Sequence, residues 1–207
     1  DAPVVSTQEE EAAVFTTWAT QPGSIIAMGF TNASAMYDSA LGASGTYASG
    51  SAVKGSFAGF GAEITPGHAI RKVEAVLHTY AMGEIDSSLL LNAAVAGERG
   101  KAVTVPGEAF DAYLGAENAG LLYVDITRSR HWQWSDFDRG LELIINQNRF
   151  PADRVVYYDA VGLRVTSGPG EDLSGGKAPT ALPREAIDTS QLANVYNGVV
   201  RAAEVWN

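Results

Sequence analysis

The stretch "LLYVDITRSRHWQWSDFDRGLELIINQNRFPADRVVYYDAVGLRV", residues 121–165, decides the fold. Leu122, Val124 and Ile126 share one face of an extended chain, and Tyr123, Asp125 and Thr127 share the other. Leu141, Leu143 and Ile145 alternate in the same way with Glu142, Ile144 and Asn146. Val161, Leu163 and Val165 then fall on one side, with Gly162 and Arg164 opposite. The apolar period is two, the runs are short, and Gly, Pro, Asn or Asp bound them, which is the pattern of an all-β protein.

Working outward, Ser24 to Phe30, Val73 to Tyr80 and Ser88 to Val95 read as further strands. About eight strands at roughly 8–12-residue spacing predict a two-sheet sandwich, specifically a jelly-roll β-sandwich with extended N-terminal and C-terminal segments. Residues 31–61, rich in Gly, Ala and Ser, read as long loops with short strands between them. The expected division is an N-terminal arm over residues 1–20 with a candidate donor strand, a sandwich over 21–166, and a linker plus C-terminal segment over 167–207. Residues 166–184, "TSGPGEDLSGGKAPTALPR", have the Gly, Pro and Ser content of a linker.

With 207 residues and 46% apolar composition, the chain can bury a sizeable single core. Its 14 basic and 24 acidic residues leave a formal charge of −10, which opposes binding to phosphate backbones or anionic lipid surfaces. Nucleic acid is therefore not an expected partner. No cysteine is present, so disulfides, thiolate metal sites and a catalytic thiol are all excluded. No apolar run approaches the length of a membrane span. The opening Asp1-Ala2-Pro3 suits a secreted protein after leader removal, and extracellular, cell-surface localisation is expected.

The order "FAGFGAEITPGHAIRKVEAVLHTY", then "LLYVDIT", a Trp-containing turn, "LELII" and "VVYYDAVGLRV" resembles the jelly-roll modules of galactose-binding-like and carbohydrate-binding type in microbial surface proteins. In such modules the last strand reads aromatic, Asp, apolar, x, Leu; here it reads Tyr158, Asp159, Ala160, Val161, Gly162, Leu163. The resemblance covers about residues 57–165 and implies a fold more than a function. It also implies that structural calcium can sit at this end of the sandwich.

Three groups of residues are candidates for function. Asp159 shares the parity of Val161, Leu163 and Val165, so it is expected on the core face, held by backbone amides, an Arg or a calcium ion. "HWQWSDFD" sets Trp132 and Trp134 two apart beside Asp136; two exposed indoles would stack on a sugar, whereas a buried one would plug the sandwich end. The flanks supply subunit-contact candidates: Val14, Phe15 and Trp18 in a β-prone segment behind Glu9-Glu10-Glu11, and Val195, Val199 and Trp206 in the tail. The first segment suits either the first strand of its own sandwich or a strand added to a neighbouring subunit. The tail reads as a helix or as an Asn197-Gly198 hairpin, with the hairpin preferred.

His68, His78 and His131 show no metal-binding spacing, and no GxSxG, P-loop or HExxH motif is present. The expected function is thus non-enzymatic and requires no cofactor: a structural subunit of a self-assembling extracellular filament or surface appendage, polymerising through terminal strand exchange. Its expected partners are copies of itself. The alternative is a non-catalytic carbohydrate-binding module for surface glycans, using the tryptophans and structural calcium.

Overall fold

The structure is a computed structural model that describes residues 12–37, 47–50, 52–61, 64–85, 88–147 and 154–169. These belong to one compact unit, Asp1–Gly175. The strands are β1 (Ala13–Trp18), β2 (Gln21–Pro22), β3 (Ala48–Gly50), β4 (Lys54–Ala58), β5 (Ala69–Met82), β6 (Ser88–Val95), β7 (Glu98–Arg99), β8 (Val103–Pro106), β9 (Gly120–Asp125), β10 (Leu141–Gln147) and β11 (Val155–Gly168). Short 3-10 turns join them, and among the described residues no helix is long and apolar enough to cross a membrane.

Two antiparallel sheets form. The first runs β1-β11-β5-β9, with β3 also on β11; the second runs β2-β4-β10-β6-β7, with β8 also on β6. Setting aside β2, β3 and β7, which have two or three residues each, the remaining eight strands in chain order read 1-8-3-6 and 2-7-4-5. This is the jelly-roll order of interlocked Greek keys, so the all-β sandwich expected from the period-two pattern is formed.

The core lies between the sheets. Val73, Ala75 and Leu77 of β5 and Val161, Leu163 and Val165 of β11 face Leu89 and Leu91 of β6 and Leu143 and Ile145 of β10. Trp132 and Phe137 stack at 5.6 Å and close one end of that layer. β5 and β11 are the spine, paired along their 14-residue lengths with register shifts at Tyr158/Ala160 and Thr166/Ser167.

One expectation changes. Ser24 to Phe30 makes only a bridge, Met28 to Lys54, instead of a strand. Its backbone donors find side chains: Ser24 N–H donates to Glu142 Oε1 at 2.9 Å and Ile25 N–H to Ser56 Oγ at 3.0 Å. A ladder is then unnecessary to satisfy them, and Ile26 stays 79% exposed. At the N-terminus, β1 pairs with β11 from Ala13 to Trp18, so the described strands run from Ala13 to Gly168. The C-terminal segment with Val195, Val199 and Trp206 lies outside the described residues.

Candidate functional site: the outer face of the first sheet

Register places chemistry-bearing side chains in rows across the solvent side of β9, β5, β11 and β1. One row is Asp125, Glu74, Arg164 and Thr16; the next is Tyr123, Val76, Gly162 and Trp18. His78 follows between Leu121 and Ala160, and Tyr80, Tyr157 and Ser49 end the series.

The first row is organised around Glu74, whose side chain is only 3% exposed. Arg164 donates through Nε and Nη2 to its Oε2, each at 2.7 Å, and Lys72 Nζ lies 2.6 Å from Oε1. The Arg164 guanidinium also sits 3.9 Å from the centroid of the Tyr123 ring. Burial pushes the Glu74 carboxyl up, but the hydrogen bonds from Arg164 and Lys72 outweigh it and hold the group below the usual carboxylate range. A carboxyl depressed in the folded state stabilises above its unfolded pKa, and that stabilisation is lost as pH falls through the folded value. Glu74→Gln is therefore expected to be less stable than the parent near neutral pH, with the gap closing as pH falls through and below the ordinary carboxylate range. Urea unfolding at a series of pH values checks this; a gap that stays constant would contradict it.

Asp159 departs from its expected position. The register shift at Tyr158/Ala160 inserts one residue, so Tyr158 is fully buried in the core and Asp159 meets His78 of the outer row. Asp159, 1% exposed, holds His78 Nδ1 at 2.7 Å from Oδ2. Calcium takes six to eight oxygen ligands. Among the described residues no group of three or more His, Asp or Glu side chains converges.

Aromatic rings cover the far end of the face. Tyr80 and Tyr157 stack at 4.4 Å with planes 3° apart, and Tyr47 sets its edge on Tyr80 at 5.0 Å. These rings satisfy one another. Trp18 occupies a different niche: its six-membered ring fills the space where a side chain at 162 would stand, with a Cβ there only 2.6 Å from Cε3. Gly162 is the seat of the indole.

The expected sugar-stacking pair does not form. Trp132 is 0% exposed, with Nε1 donating to Ile126 carbonyl at 3.2 Å. Trp134 is half-buried against the core and donates through Nε1 to His68 carbonyl at 3.0 Å. Trp134–Asp136 is a 3-10 turn, so a spacing of two no longer places residues on one side. Asp136 is buried and caps that turn, its Oδ2 accepting from Gln133 N–H at 3.0 Å. Of the N-terminal candidates, Val14 is 57% exposed, Phe15 turns toward the core side opposite Val165, and Trp18 seats on Gly162.

Sequence reasoning passed over Glu74 and Tyr80 and weighed His78 only as a metal ligand, although alternation along β5 already sets all three opposite Val73, Ala75 and Leu77. Charge and aromatic content on the solvent side of a long strand was the available signal. No protein-family model matches this chain, and no curated protein matches it either. The jelly-roll sandwich is thus the class that its architecture defines.

Proposed function

We propose that this protein is a structural subunit of a self-assembling extracellular filament or surface appendage, joined to its neighbours by exchange of β1. The observation that carries the reading is the way β1 is held. It is the first strand of the sandwich, it pairs along all six residues with β11, and Trp18 anchors it over Gly162. An edge strand can leave and return without disturbing the order of the other strands.

The same pairing made by a neighbour's β1 reproduces every native contact, so exchange costs little beyond association. A head-to-tail exchange is heterologous and propagates as an open polymer unless its geometry closes a ring. An unpaired β11 edge would itself seek a strand, which favours completion by a neighbour. The carbohydrate-binding alternative is the weaker reading, because Trp132, one of its two stacking residues, is buried.

Negative-stain electron microscopy of the purified chain over a range of concentrations tests the reading. Ordered fibres or tubes are expected. Dispersed monomers at every concentration would defeat it.

A further inference from the structure

A cleft of about 700 Å3 opens where the start of β5, the end of β9 and the segment entering β8 meet. Its lining includes four cations, Arg71, Lys72, Lys101 and Arg128, against one carboxylate, Asp125. The whole chain holds only 14 Lys and Arg and carries a charge of −10, so this cleft locally inverts the sign of the molecule. Lys72 is partly neutralised by Glu74 at 2.6 Å, whereas Lys101 and Arg128 are exposed. Ser129, also in the lining, has a buried Oγ without a hydrogen-bond partner among the described residues.

The segment that precedes Ala12 in the sequence carries the opposite charge. Ala12 lies against Gly168 beside Arg71: a Cβ at 168 would stand 3.5 Å from Ala12 Cβ and 3.6 Å from Arg71 Cγ. Glu9-Glu10-Glu11 immediately precede Ala12. Three extended residues span about 10 Å, so the run has the length to reach from Arg71 into the cleft. Arginine and lysine bind carboxylates through charge-assisted hydrogen bonds, which a cleft of mixed cations can supply to several glutamates at once.

We propose that the cleft is the docking site of the acidic run Glu9–Glu11 of whichever chain supplies β1. Docking latches β1 by charge at its N-terminal end while Trp18 holds its other end. The inference rests on the exchange reading only for which molecule the run belongs to. It further implies that the hold on β1 weakens with salt, since exposed ion pairs are screened.

The test is the rate at which a glutamyl endopeptidase removes the acidic run from the full chain, followed by mass spectrometry. Docking protects these bonds. Lys101→Glu with Arg128→Glu is expected to raise cleavage there by about tenfold, the combined weight of two exposed ion pairs. Raising sodium chloride to about 0.5 M, where screening is strong, should do the same in the parent. Both substituted residues are exposed, and Lys101→Ala with Arg128→Ala gives a milder second variant with the same direction. Equal rates in parent and both variants, or a parent rate indifferent to salt, would overturn the proposal and leave the cleft to some other anion. Cleavage is compared in monomeric and in assembled material: protection in monomers that never polymerise upholds the docking and defeats only the exchange.

Discussion

Replacing Trp132 with alanine is expected to lower the unfolding free energy by about 3–5 kcal/mol, the range for deleting a buried large aromatic. The indole is 0% exposed, stacks on Phe137 at 5.6 Å with planes 9° apart, and donates to Ile126 carbonyl at 3.2 Å. Truncation thus opens a cavity at the end of the sandwich and exposes Phe137 to it, while the Ile126 carbonyl keeps the Ser129 N–H as its donor. Trp134→Ala should cost less, because that ring is half-buried. Urea unfolding of both variants decides the matter. A loss below about 1 kcal/mol for Trp132→Ala would mean a surface indole and would reopen the sugar-stacking reading.

The second large effect concerns the seat of Trp18. Gly162→Val is expected to unseat β1, because even the first added carbon would stand 2.6 Å from Cε3, 2.8 Å from Cζ3 and 3.0 Å from the Thr17 carbonyl oxygen. The ring must swing out, and the backbone oxygen cannot easily follow. Overpacking of this kind costs about 1–3 kcal/mol. Because an exchanged β1 makes the same contact as one seated in its own sandwich, the cost falls on closed monomer and subunit junction alike and is read as a loss of unfolding free energy of that size. Removing the ring in the same chain, Trp18→Ala with Gly162→Val, relieves the clash with the indole while forfeiting its anchor. Urea unfolding measures this; an unchanged unfolding free energy in Gly162→Val would show that the Trp18 ring does not seat on position 162.

The sandwich was legible because alternation is a local property. Leu122 and Val124, or Leu141, Leu143 and Ile145, declare one buried face without reference to the rest of the chain. Strand order is not local, and no pattern in residues 121–165 states that β11 lies between β1 and β5. Asp159 shows how parity fails: one inserted residue between Tyr158 and Ala160 moves it from the core side to His78, and a bulge leaves no mark in composition. Trp132 and Trp134 were read at strand spacing, but a 3-10 turn separates the directions of the two indoles.

The organisation of the outer face shows the same limit. That Glu74 points outward follows from its neighbours on β5, whereas its partner Arg164 is 90 residues away and only the register reveals it. The basic cleft is a sharper case. A charge of −10 describes the far field, but Arg71, Lys101 and Arg128 come from three separate segments that the fold alone brings together.

Exchange of β1 is tested most directly by recording which molecule's β1 each sandwich contains. The chain has no cysteine, and Val14 faces Thr166 in the register of β1 with β11. Facing residues on antiparallel strands hold their Cβ atoms about 4.5–5.5 Å apart, close to disulfide reach. Val14→Cys with Thr166→Cys, assembled, oxidised and then dissolved in denaturant without reductant, is expected to give a ladder of covalent multimers. Assembled material that dissolves to a single cross-linked monomer would show that β1 had stayed in its own sandwich and would contradict the exchange.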